Sequence, residues 1–234
     1  MPFDLSVPDL IALAWFFAAW GLYPLLVDYW LERPVSLNRR MGHVRGLWMR
    51  TMLRRDNRVM DGMLLGHLIS SVSFFASTTV LVLAGLLGVL ASADRAHRVV
   101  TDLGFTQPTS RGLFELKLLL LIGIFTFAFF KFTWSLRQFN YSVALVGAVP
   151  LDDTPEREAM ADSTAAVLSM AVRGFNGGLR AYYFAFAALG WFVHPWAFMA
   201  VVAWIIAVLA RRHFASAAHG AVGLFLEAAA RRPG

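Results

Sequence analysis

"GHLISSVSFFASTTVLVLAGLLGVL" occupies residues 66–90, and none of its residues is Asp, Glu, Lys or Arg. A bilayer's hydrocarbon core is about 30 Å thick, and about 20 apolar residues of helix cross it. The run is long enough, so it reads as a transmembrane helix of about Leu65–Leu90. Composition agrees. Of 234 residues, 58% are apolar and 15% charged. That departs from soluble-domain usage, and membrane spans explain the excess. The net charge of +6 is clustered beside apolar runs. This placement suits the anionic inner leaflet better than nucleic acid. With no cysteine in the chain, disulfides, thiolate chemistry and Cys-ligated metal or iron–sulfur sites are excluded.

Upstream, "MPFDLSVPD" lacks the basic segment of a removable signal peptide. A first span over about Leu10–Trp30 follows, with a kink expected at Pro24. Residues 33–58 then carry eight arginines and one acid, Asp56. Leu37, Met41, Val44, Trp48 and Met52 recur at helical spacing. This is an amphipathic basic helix on the inner membrane face. Arg39, Arg40, Arg45, Arg50, Arg54 and Arg55 are its membrane-surface residues, facing anionic headgroups. A docking surface for an acidic partner is the alternative.

Within the opening run, Gly66, Ser70, Ser73, Ser77, Ala84 and Gly88 form a stripe of small residues that would let helix backbones approach closely. Its serines, with Ser71, Thr78 and Thr79, also offer a hydroxyl-lined path. Downstream, residues 92–111 read as a short loop of mixed charge. A third span begins near Gly112 and extends to about Val149. Pro150 and the acidic stretch after it, with a second proline at 155, break that span. A cytoplasmic loop and helix fill 150–173. A fourth span covers about Asn176–Val193, with Gly177, Ala181 and Ala185 as its packing face. "WFVHPW" (191–196) then leads into the apolar run Pro195–Arg211. That is either one long kinked helix or a tight hairpin tipped by His194-Pro195. The hairpin puts Arg211, Arg212, Arg231 and Arg232 on the side of residues 33–58, as the positive-inside bias asks. Residues 212–234 form an amphipathic tail.

The expected fold is all-α: one integral membrane domain over 1–234, a polytopic bundle of five spans, with four as the alternative. Its expected location is a bacterial inner membrane, N-terminus outside and C-terminus cytoplasmic.

"FFKFTWSLRQFNYSVALVGAVP" (129–150) carries the chemistry. Lys131, Trp134 or Ser135, Gln138 and Tyr141 or Ser142 share a helical face. A charge at the bilayer centre costs about 3 kcal/mol on insertion scales, less near the edge. In one reading Lys131 snorkels to headgroups while Gln138 and Asn140 bond between helices. In the other, Lys131, Trp134 and Gln138 meet Ser70, Ser73, Ser77 and Arg180 around a basic, hydroxyl-rich cavity suited to an anion.

"SVSFFASTTVLVLAGLL" (71–87), the 129–150 stretch and "LRAYYFAFAALGWFVHP" (179–195) resemble a family of multi-pass membrane proteins of bacteria and plants, domain of unknown function 599. The resemblance covers nearly the whole chain. It implies a membrane location and carries over no activity, cofactor or catalytic residue.

No H-E-x-x-H, phosphate loop or nucleophile elbow occurs. The expectation is therefore no metal, no cofactor and a lean away from an enzyme. Small-solute or ion permeation, leaning to anions, leads. A non-catalytic scaffold or accessory subunit bound to other membrane proteins is the alternative, whereas a homo-oligomer of this chain alone would favour a pore. A lipid-acting enzyme comes third.

Overall fold

A computed structural model describes residues 4–25, 37–102, 109–214 and 217–231, which are helical with no strand among them. In chain order the helices are α1 (Val7–Leu25), α2 (Leu37–Leu53), α3 (Val59–Ala91), α4 (Ala93–Asp102), α5 (Arg111–Ala148), α6 (Arg157–Val193), α7 (Pro195–Phe214) and α8 (Ala217–Ala230). Val7–Leu25, Val59–Ala91, Arg111–Ala148 and the run Pro195–Ala230 are long and apolar enough to cross a membrane. The molecule is an all-α polytopic membrane protein.

The elements divide into two compact units. Unit 1 gathers α1, α4, residues 195–210 of α7, and the segments 77–91 of α3, 111–130 of α5 and 178–193 of α6. Unit 2 gathers α2, α8, and the segments 59–76, 131–148 and 157–177 of the same three helices. Among described residues unit 2 carries 14 Lys and Arg against eight Asp and Glu, whereas unit 1 carries five against five. Charge therefore separates with the packing.

In unit 1, aromatic rings make the core. Phe16 packs on Phe184 and Phe198, with centroids 5.8 and 5.3 Å away. Trp20 meets Phe127 and Phe184. Lipid tails are as apolar as these rings, so tight van der Waals packing and buried polar bonds hold such a bundle together. Each aromatic pair adds about 0.5–1.5 kcal/mol beyond area burial.

The turn between α6 and α7 resolves the sequence ambiguity at His194. A Cβ on Gly190 would stand 3.3 Å from the Cα of Phe198. Trp191 stacks on Phe198 at 5.7 Å. Residues eight apart in one straight helix lie about 12 Å apart along the axis. The chain therefore reverses here, and the hairpin is the correct reading. The His194 ring Nδ1 accepts from the Trp196 N–H at 3.2 Å, capping α7.

Three local expectations change. Residues 93–102 form α4, not a loop. Ser92 lets the helix restart after α3, its carbonyl accepting from Arg95 and Ala96. The helix is then tied down by Arg111 to Asp94 and by His97 Nε2 to the Thr109 carbonyl, both 2.8 Å. The predicted cytoplasmic helix and fourth span are one uninterrupted helix, α6. Its glycines do not break it, because they serve close packing: a Cβ on Gly174 would meet the Ser135 Cβ at 3.3 Å. Pro24 falls in the last turn of α1 and does not interrupt its middle. Residues 26–36, including Arg33 and the end of the predicted first span, lie outside the described residues.

Candidate functional site

Among the described residues, unit 1 buries one cation and one anion. Lys117 and Asp9 are 2% and 4% exposed. Asp9 sits in the first turn of α1, where its carboxylate complements the helix N-terminus. Its Oδ2 accepts from the Ser6 N–H at 3.1 Å and from the Ser6 hydroxyl. Its Oδ1 accepts from the Trp191 indole Nε1–H at 2.8 Å. Both oxygens are therefore engaged. Lys117, two turns into α5, holds its ammonium 5.4 Å from the Trp191 ring centroid and 5.8 Å from that of Phe192. Asp9 is the carboxylate that acts on its charge. Such cation–π contacts contribute up to about 2 kcal/mol when desolvated. They offset only part of what burying an ammonium costs. The result is an interior cation held by ring faces, beside a carboxylate already committed to other donors.

Two further polar groups of unit 1 bond to each other: buried Thr79 of α3 and Tyr182 of α6 share a 2.8 Å hydrogen bond. Arg180 lies two residues earlier on α6 and is half-buried.

Unit 2 uses its arginines differently. Arg50 makes a two-pronged pair with Asp162, at 3.0 and 2.9 Å. Asp61, fully buried, takes Arg55 at 2.5 Å and the Trp48 indole at 2.7 Å on the same oxygen. Arg58 donates to the Val146, Val149 and Pro150 carbonyls at the end of α5. Arg157 donates to the Leu53 carbonyl at the end of α2. Cations suit helix C-termini, whose last carbonyls lack intrahelical partners. Arg45 donates from Nε to the Ser169 hydroxyl at 2.8 Å. Burial, and then the nearby charge of Arg173, pull its pKa from the ordinary value down to about 10. Both effects disfavour the charged form. Arg40 donates to the His219 carbonyl at 3.0 Å, which ties α2 to α8.

The residues predicted to line a cavity divide between the units. Ser77 and Arg180 belong to unit 1, whereas Ser70, Ser73, Lys131, Trp134 and Gln138 belong to unit 2. Ser70, Ser77 and Trp134 are exposed, and Ser73 is half-buried. The inward stripe of α5 in unit 2 runs through Ser135 and Ser142, both fully buried. Ser135 donates to the Ala171 carbonyl at 2.7 Å. Gln138 has a buried Oε1 with no hydrogen-bond donor among the described residues. Lys131 lays its stem along α6, where a Cβ on Gly177 would stand 3.5 Å from its Cδ. Ala181 and Ala185 are buried in unit 1. Ala84 is exposed, and around Gly66 and Gly88 the space is open. Arg39 and Arg54 of the predicted membrane-surface set are exposed.

Asp9, Lys117 and Trp191 had no place in the sequence reading. The signal for the two charges was Asp9 inside the apolar "SVPDLIAL" and Lys117 at the head of the leucine run in "LFELKLLLL", two residues after Glu115.

Helices of membrane-crossing length, a charge-separated bundle and buried polar groups define a multi-pass α-helical membrane protein. The sequence matches the family model described as "Protein of unknown function, DUF599" over residues 11–218, and the chain belongs to that family. No curated protein and no solved structure matches it.

Proposed function

We propose that this chain is a permeation protein for a small solute, with a preference for anions, and that its selective group is Lys117 in unit 1. The observation that carries this reading is an ammonium buried in a membrane protein, with both oxygens of the carboxylate beside it engaged by other donors. Intramembrane charges are expensive and mark ion and substrate paths. A cation neutralised only in part by Asp9 would attract a passing anion. Arg180 and the Thr79–Tyr182 pair supply further polar groups within the same unit.

A second reading has its own support. Only 11% of the apolar window of α3 is buried within the chain. The small residues Gly66, Ala84 and Gly88 lie on its open side. Such a face suits helix–helix association and hence an accessory subunit or scaffold. Purified protein in liposomes separates the two. Chloride or nitrate flux under an imposed gradient supports permeation. Absence of flux for every anion tried, with a foreign membrane protein copurifying at fixed stoichiometry, replaces it with the scaffold.

The cationic excess of unit 2 supports a bacterial cytoplasmic membrane with unit 2 facing inward, by the positive-inside bias. Reporter fusions at residue 60 and at the C-terminus should then both read cytoplasmic. A C-terminal fusion reading outside overturns this orientation.

A further inference from the structure

In unit 2, Arg50, Arg55 and Arg157 pair with carboxylates, and Arg58 is seated on helix-terminal carbonyls. Arg45 and Arg173 are placed differently. Arg45 spends its Nε–H on Ser169, which leaves its two terminal amino groups directed elsewhere. Among the described residues no carboxylate pairs with it, and the nearby charge acting on it is another guanidinium, that of Arg173. Arg173 follows Ser169 by four residues on α6, so the two share a face. One turn further along, the Asn176 amide donates to Asn38 of α2 at 3.4 Å, and this contact ties the two helices together there. Two like charges are thus brought together along one α2–α6 seam, one of them half-buried and oriented by a hydroxyl. Left alone, the pair is repulsive. An anion between them would reverse the sign of the interaction.

We infer that Arg45, Ser169 and Arg173 form a binding site for a phosphate group. Two guanidinium forks present planar, paired N–H donors, and a tetrahedral anion offers enough oxygens to accept from both. The serine already fixes one fork, which reduces the ordering that binding requires. The phosphate is either that of a lipid headgroup or a free ion. The site is independent of the permeation reading, since it lies wholly in unit 2 and involves no residue assigned to solute passage.

The test uses the full-length protein in a neutral detergent. Thermal unfolding is followed by tryptophan fluorescence while inorganic phosphate is titrated at constant ionic strength. Native mass spectrometry then counts lipids retained from micelles containing phosphatidylglycerol, phosphatidic acid or no added phospholipid. Saturable stabilisation by phosphate identifies the free ion as a ligand. Retention of one phospholipid without a response to phosphate identifies the headgroup. In either case Arg173→Met, at an exposed position, should weaken binding by about tenfold or more, as loss of a charge-assisted hydrogen bond does. Arg45→Met should do the same, whereas Arg50→Met, on the same helix but paired with Asp162, should leave binding unchanged. No saturable binding of either ligand overturns the inference, as does binding that survives Arg173→Met or falls equally in Arg50→Met.

Discussion

Trp191 does three things at once: it stacks on Phe198, donates to Asp9 and lies under Lys117. A phenylalanine could do the first and part of the third. Trp191→Phe therefore isolates the hydrogen bond. It strands the Oδ1 of a buried carboxylate, and a lost partner of that kind costs about 1–3 kcal/mol. Thermal unfolding in detergent should show the loss. In an Asp9→Asn background the further effect of Trp191→Phe should shrink, because a neutral amide gains less from the indole donor. Equal losses in both backgrounds would mean that the bond to the charged carboxylate is not what the indole contributes. None of these roles is legible from the residue type, and in the sequence Trp191 is only the start of "WFVHPW". What joins it to Asp9 is a contact across 182 residues of chain, which no local period encodes.

At the scale of elements, the sequence was most legible where one physical requirement acted alone. Membrane-crossing length marked α1, α3 and α5, and the placement of Arg211, Arg212, Arg231 and Arg232 favoured a turn at His194-Pro195. It was least legible where two requirements produce the same residue. Glycine serves both chain breaks and close packing: Gly177 was read as a packing residue, and it does pack on Lys131, while Gly174, where the sequence put a boundary between helix and span, packs on Ser135. Gly190 is the sharper case. Any side chain there must enter the backbone of Phe198, 3.3 Å from the Cβ position. Gly190→Leu should therefore splay α6 from α7 and destabilise by about 1–3 kcal/mol, as overpacking does. Gly220→Leu, with open space around it, should be close to neutral. Similar unfolding temperatures for the two variants would contradict the hairpin.

The contact between α2 and α6 adds a pH dependence. A hydrogen bond from Arg50 holds the Asp162 carboxyl below its usual range, against some opposing desolvation. A carboxyl depressed in the folded state adds stability above its unfolded pKa, about 4, and loses it as pH falls through the folded value. Both side chains are about half exposed, 55% and 50%. Solvent and salt therefore keep the contribution under about 1 kcal/mol. Asp162→Asn should be slightly less stable than wild type at pH 7, and the gap should close below about pH 4. A gap that persists at low pH would assign the effect to packing.

For the whole molecule, charge and polarity follow the division into units. Unit 2 carries the cationic excess and stitches it together with Asp61, Asp162 and helix-end carbonyls. Unit 1 is balanced in charge and keeps one cation against ring faces. The sequence made the membrane class and the basic surface helix plain, because both are patterns of neighbouring residues. It pointed to Lys131 as the intramembrane cation, since that lysine stands amid other polar groups. Lys117 stands at the head of a leucine run, two residues after Glu115, and only the packing of α5 against the α6–α7 hairpin shows it to be the more deeply buried. Lys131→Met, which keeps the stem lying along Gly177, should leave insertion intact and change flux less than a substitution at Lys117.

If the Lys117 charge serves solute passage and not only folding, anion flux into liposomes carrying wild-type protein or Lys117→Met at matched incorporation will show it. The methionine keeps the stem and removes a buried charge, so folding and insertion should survive. Flux through Lys117→Met should fall at least about tenfold below wild type, equivalent to about 1.4 kcal/mol at the selective step, with Lys117→Arg retaining part of it. Undiminished flux in a well-folded Lys117→Met protein would mean that the charge has no part in solute passage.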